Sequence, residues 1–134
     1  MEKQLLKVLI ADDSPVVRIG LKLLVDSQPD LEVCGCAADG EEAVALCGSS
    51  CPSVVLMDLS MPRLDGLAAT RALMANGAPP WVLVVSGTAD RSSCRAAAEA
   101  GASGFVLKSD PPEVLLEAIR ALSRGEQRLE PTGT

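Results

Sequence analysis

The sequence predicts an α/β fold: a doubly wound, five-stranded parallel sheet with helices on both faces. Three observations carry that expectation. Five short apolar runs rich in β-branched residues alternate with polar segments of helical spacing. The runs VVLM and WVLVV are apolar without interruption, as strands covered on both faces must be. The chain has 134 residues, 48% of them apolar, which suits one domain with a full core.

The strands are expected at 7–11 (KVLIA), 31–37 (LEVCGCA), 53–58 (SVVLMD), 81–86 (WVLVVS) and 104–108 (GFVLK). Val16, Ile19, Leu23 and Leu24 mark one apolar face of the first helix, with Pro15 suited to its first turn. A short second helix, Glu41 to Cys47, opens at Asp39-Gly40. A third, Leu67 to Ala75, is stopped by Asn76-Gly77 and Pro79-Pro80. The fourth is an Ala-rich stretch from Asp90, its N-cap, to Ala100, ended by Gly101. The fifth runs from Pro111 to Ser123 on a stripe of Val114, Leu115, Ala118, Ile119 and Leu122. Glu32 interrupts the second strand, which fits an edge. Right-handed crossovers then favour the strand order 2-1-3-4-5, the flavodoxin-like (βα)5 layout. Residues 1–125 form the domain, and 126–134 read as a tail or the start of a linker.

Composition narrows the function. Phe105 and Trp81 are the only aromatic residues, so the core is aliphatic. A net charge of −6 without a cluster of Lys and Arg argues against direct nucleic-acid binding. The absence of histidine removes His-based catalysis. No apolar run approaches the ~18 residues of a membrane span, and acidic residues follow the amino terminus too soon for a signal peptide. A cytoplasmic location is expected. The five cysteines, an odd count, read as reduced thiols used for packing. Cys34 and Cys36 are expected on one face of a single strand, a poor start for a zinc site shared with Cys47 and Cys51.

Functional groups in such sheets gather at the carboxyl ends of the strands. The first run ends in Asp12-Asp13, the third in Asp58, the fourth in Ser86 and the fifth in Lys108. Singly, each has a plain reading as helix cap, turn residue or surface lysine. Jointly, the topology brings three carboxylates, a hydroxyl and an ammonium to one cleft. Two carboxylates about 4 Å apart repel by roughly 4 kcal/mol at an effective dielectric near 20. Three need counter-charge, which a divalent cation and Lys108 would supply. Oxygen ligands with room for water suit Mg²⁺. The cation and lysine together suit phosphoryl transfer, with Asp58 as nucleophile.

The motifs VLIADDSPVVR, VVLMDLSMPRLDG, VLVVSG and GASGFVLKSDPPEVLLEAIRAL, in that order over residues 5–125, resemble the receiver (CheY-like) domain of two-component response regulators. The resemblance implies that Asp58 accepts the phosphoryl group and that Asp13 ligates Mg²⁺ directly. It places Asp12 on the metal through water and the Ser60 carbonyl among the ligands. Lys108 would pair with the phosphoryl group, while Ser86 and Phe105 would be the switch pair, with Phe105 turning inward as Ser86 moves. Ser60 and Thr88 hold positions that tune phosphoryl lifetime. Two departures stand out: Ser rather than the commoner Thr at 86, and Ser109 where many receivers have proline.

The ending LKSDPPEVLLEAIRALSRGEQRLEP is similar to the NarL/LuxR-type subfamily, whose receivers precede a helix-turn-helix DNA-binding domain. That implies a histidine kinase as partner, an output domain outside these residues, and control of dimerisation or output through the surface of the fourth helix, fifth strand and fifth helix. A stand-alone phosphorelay adaptor is the alternative. An Mg²⁺-dependent phosphohydrolase would carry a D-x-D pair after the first strand, which ADDSP lacks. A flavin binder would want a Gly-rich phosphate loop there. No separate substrate turnover is expected.

Overall fold

The computed structural model describes residues 4–88 and 90–129. In chain order the elements are β1 (Leu6–Ala11), α1 (Pro15–Asp26), β2 (Leu31–Ala37), α2 (Gly40–Ser50), β3 (Val54–Met57), α3 (Gly66–Met74), β4 (Trp81–Ser86), α4 (Arg91–Ala100), β5 (Gly104–Leu107) and α5 (Pro112–Ser123). The strands form one sheet of order β2-β1-β3-β4-β5, all pairs parallel. This is the predicted doubly wound order, with β2 at an edge.

The helices start where short polar side chains satisfy their free amides. Ser14, Asp39, Asp65 and Asp90 each accept a hydrogen bond from a backbone N–H three residues on, opening α1 to α4. Proline opens α5 instead, where a missing N–H costs nothing. The second helix is longer than its sequence suggests. It continues through Gly48 and Ser49 to Ser50, and Cys51 closes it in the left-handed region at φ 49°.

Two cores sandwich the sheet. On one face Leu9, Val55, Met57, Val82 and Val84 meet α2, α3 and α4 through Ala43, Cys47, Ala69, Leu73 and Ala97. On the other, Val8, Ile10, Val54, Leu56 and Leu83 meet α1 and α5 through Val25, Leu115, Leu116 and Ile119. Ile119 is fully buried there. Truncating Ile119 to Ala is expected to cost about 2–5 kcal/mol in urea denaturation, transfer and cavity terms together. A loss below 1 kcal/mol would mean the α5 face repacks freely.

One expectation about the cysteines needs correction. The pairing of β1 with β2 shifts between Val8↔Val33 and Leu9↔Gly35, so Cys34 is an extra residue in β2. A bulge of this kind breaks the two-residue alternation of faces. Cys34 therefore packs on the α2–α4 side and Cys36 on the α1–α5 side, with the sheet between them. All five thiols are free. Burial pushes the Cys47 thiol up to about 12, which suits a packing residue rather than a nucleophile.

Residues 126–129, expected as tail, run beside β5, where Arg128 forms a parallel bridge with Gly104. Residues 130–134 of that tail lie outside the described residues. Among the described residues no helix is long and apolar enough to cross a membrane.

Candidate functional site

The sheet register assembles the site. β1 and β3 align Ala11 with Met57, and the Asp58 amide donates to the Ala11 carbonyl at 2.9 Å. The next residues, Asp12 and Asp58, therefore leave neighbouring strands side by side. β4 and β5 align Ser86 with Leu107, and the Lys108 amide donates to the Ser86 carbonyl at 2.7 Å. Strand order thus converts four separate strand ends into one cluster.

Carboxylate oxygens of Asp12, Asp13 and Asp58 lie within 4.8 Å of one another. Asp12 and Asp58 are buried and Asp13 is exposed. Lys108 crosses from β5, its Nζ 2.9 Å from Asp12 Oδ2 and 3.4 Å from Asp58 Oδ1. Asp12 Oδ1 accepts from the Ser14 amide at 2.9 Å. Its buried Oδ2 has no aligned hydrogen-bond donor, so the lysine contact there is an ion pair only. Ser86 is buried, and its Oγ accepts from the Thr88 amide at 3.2 Å. Ser60 is exposed in the loop two residues past Asp58.

The charges do not balance. Three carboxylates against one ammonium leave a net −2 around groups that are mostly out of water. Burial, and then the charge of Asp12, push the Asp58 carboxyl above its ordinary value, although Lys108 and the Ser60 amide pull the other way. Burial lowers the Lys108 ammonium, but the neighbouring Asp12 and Asp58 outweigh it and hold that group above its usual value. A divalent oxygen-liganded cation fits this donor set. It would cancel the residual −2 and share the Asp12 carboxylate with the Lys108 ammonium.

A stability prediction follows from the same imbalance. Without divalent cation, Asp58→Asn is expected to unfold about 1 kcal/mol later than wild type, because it removes repulsion and desolvation that one lysine contact does not repay. Mg²⁺ should narrow the gap by stabilising wild type more than the variant, which has lost one of the three carboxylates. The sign with pH is fixed. A folded pKa raised above the unfolded value means the penalty is full above the folded pKa and fades as pH falls through it. Melting curves with EDTA, with Mg²⁺ and across the acid range check this; a wild type more stable than the variant in EDTA would contradict it.

All the residues singled out from sequence fall at or beside this cleft except Phe105, which lies three residues before Lys108 and faces the α2–α4 core. Its ring is already inside, only 1% exposed. The expected inward turn therefore starts from a ring that has already arrived. Without a phenolic hydroxyl, nothing favours holding it at the surface.

Sequence reasoning passed over three supports. Arg18 on α1 donates from Nη1 to the Asp12 carbonyl at 2.7 Å. Arg63, at φ 67°, pairs with the buried Asp39 at 3.0 Å and ties the β3–α3 loop to the start of α2. Gly66 lets α3 begin against the Asp58 main chain. The Asp-Gly pair at 65–66 was visible as a turn signal, but the contact it permits was not.

A doubly wound sheet with an acidic pair after β1, a lone aspartate after β3 and a lysine after β5 has the layout of a signalling receiver rather than of a turnover enzyme. Residues 8–120 match the response regulator receiver domain, and the chain belongs to that family. It is 39% identical over 126 residues to the transcriptional regulatory protein LiaR of Bacillus subtilis, covering 94% of this chain and 60% of that protein. It is 37% identical over 121 residues to the nitrate/nitrite response regulator protein NarP of Escherichia coli, covering 90% and 56%. A crystal structure of a LuxR-family two-component response regulator from Aurantimonas superposes with a TM-score of 0.87 at 35% identity, covering 93% of this chain and 89% of that one. The chain thus spans less than two-thirds of the length of these curated relatives.

Proposed function

We propose that this chain is the phosphoacceptor of a two-component response regulator and that Asp58 carries the phosphoryl group. The observation that supports this most is the position of Asp58: buried, flanked by Asp12 and Asp13, and 3.4 Å from the Lys108 ammonium. Its carboxylate oxygen would attack the phosphorus of a phosphohistidine on a partner kinase. The P–N bond breaks, the P–O bond forms, and the imidazole leaves with a proton from solvent.

Asp12, Asp13, Asp58 and the Ser60 carbonyl are the groups that would hold Mg²⁺, with Asp12 acting through water. Bound there, Mg²⁺ supplies the positive charge that offsets the transferred group's oxygens. Lys108 stabilises the same oxygens from the β5 side, and Ser86 donates its hydroxyl to one of them. Phosphorylation adds about 1.5–2 negative charges at this spot. Ser86 then leaves its bond to the Thr88 amide, and Phe105, already seated, is locked in place. The population shifts toward the state that prefers the phosphoryl group, and the α4–β5–α5 surface changes with it.

A partner approaching Asp58 meets α1 beside it. Val16, Ile19 and Leu23 stand 79%, 61% and 69% exposed on that helix, an apolar stripe suited to a partner. The greater lengths of the relatives and their names as transcriptional regulatory proteins support an output domain and a role in transcriptional regulation. The reading is completed by a C-terminal helix-turn-helix as that domain, a cytoplasmic location and homodimerisation as one output. The direct test is incubation with acetyl phosphate and Mg²⁺ followed by intact mass. One added phosphoryl group, lost when EDTA replaces Mg²⁺, is the expected result. No addition under any condition that keeps the fold would refute the reading.

A further inference from the structure

The outer edge of β5 is where a further connection lies. β5 pairs with β4 on one side, and an open edge on the other would leave backbone groups without partners. The chain covers that edge with its own residues. Gly125, at φ 82°, turns the backbone after α5. The Glu126 amide then donates to the Ala121 carbonyl at 2.9 Å, and the chain runs back along β5. Arg128 sits in the strand position. Its amide donates to the Ser103 carbonyl at 2.8 Å, and its carbonyl accepts from the Phe105 amide at 2.7 Å. A further β5 amide, that of Leu107, donates to Asp110 Oδ2 at 3.0 Å.

Side chains hold the strap as well. Arg128 reaches Glu126 at 3.1 Å and Glu117 of α5 at 3.5 Å, and Arg124 reaches Glu126 at 2.6 Å. These pairs are exposed and individually weak. Three backbone bonds and a few surface charges work against the ordering entropy of four residues. An element so balanced can be displaced by a modest change in its seat.

We infer that residues 126–129 form a strap on the β5 edge that couples the acidic site to the segment leaving the receiver. The coupling runs through β5. One end of this four-residue strand carries Lys108, which contacts Asp12 and Asp58; the Ser103 and Phe105 backbone at its other end holds Arg128. A phosphoryl group on Asp58 gives Lys108 and Ser86 a shared charged acceptor and steadies β5. A steadier edge is a better seat, so the phosphorylated state favours the docked strap. The linkage is reciprocal: docking the strap favours the phosphorylated state by the same factor. The inference rests on the phosphoacceptor reading and adds the route by which it reaches the C-terminal segment.

Beryllofluoride, a phosphoryl mimic, with Mg²⁺ tests both directions on the full chain. Amide exchange at Phe105 and Arg128 is expected to slow by about fivefold or more on binding, the lower range of measured couplings. Arg128→Pro removes the amide donor and should weaken beryllofluoride binding by a similar factor. Arg128→Ala keeps the backbone bonds and should bind nearly as wild type. Unchanged exchange at both amides, or wild-type affinity in Arg128→Pro, overturns the coupling while leaving the phosphoacceptor reading intact. A wild type that binds no beryllofluoride overturns that reading, and the coupling with it.

Discussion

Asp58→Asn takes up no phosphoryl group from acetyl phosphate and Mg²⁺ under conditions in which wild type gains one. The amide is nearly the size of the carboxylate, so the pocket is kept, but it offers no anionic oxygen to form the P–O bond. Asp12 and Asp13 do not substitute for it. Asp12 is buried against the Lys108 ammonium and the Ser14 amide, and Asp13 lies on the exposed side. The effect is loss of the modification rather than a slowed rate. The variant also stays folded, since it sheds repulsion, and its melting curve separates a missing nucleophile from a missing structure. A phosphorylated Asp58→Asn protein would move the acceptor to another side chain, which peptide mapping would locate.

Gly66→Ala is the second large effect, and helix propensity alone predicts the wrong sign. Alanine is the better helix former by about 1 kcal/mol in a helix interior. At Gly66 a Cβ would clash with the Asp58 carbonyl oxygen and lie 2.8 Å from the Leu59 Cα. Those are main-chain atoms, so no rotamer change relieves the clash. Either the start of α3 or the Asp58 backbone must move. The expected result is a loss of about 3 kcal/mol in denaturant unfolding, together with at least tenfold slower phosphorylation because the nucleophile is displaced.

Gly20→Ala provides the contrast. No atom lies within 4 Å of its added Cβ, and the residue sits inside α1. That change should stabilise by about 0.5–1 kcal/mol. If both variants gained stability, the close approach at Gly66 would be wrong.

These two glycines show what pattern reading can and cannot reach. Both stand in or at helices that the sequence located, although the apolar face assigned to α1 was wrong: Val16, Ile19 and Leu23 are exposed, and Leu21, Leu24 and Val25 face the core. The difference between the glycines lies in how near the Asp58 backbone comes, a distance set by packing between separate elements. The cysteines teach the same lesson. Alternation assigned Cys34 and Cys36 to one face, but an inserted residue in the β1–β2 pairing puts the sheet between them. Phe105 was recognisable by its spacing from Lys108, but its inward position depends on the space that α4 and the neighbouring strands leave.

The sequence by itself determined the architecture and which strand-end residues lie together. Uninterrupted apolar strands alternating with amphipathic helices admit few right-handed topologies. Order 2-1-3-4-5 then makes Asp12, Asp13, Asp58, Ser86 and Lys108 neighbours before any coordinate is known. Tertiary structure alone decided the energetics and the connections: the burial that raises Asp58, the ion pair of Asp12 with Lys108, the Gly66 contact and the strap at Arg128. The physical reason is range. Periodicity and turn chemistry act over a few residues and are written along the chain, whereas desolvation and close packing depend on atoms brought together from elements far apart in sequence.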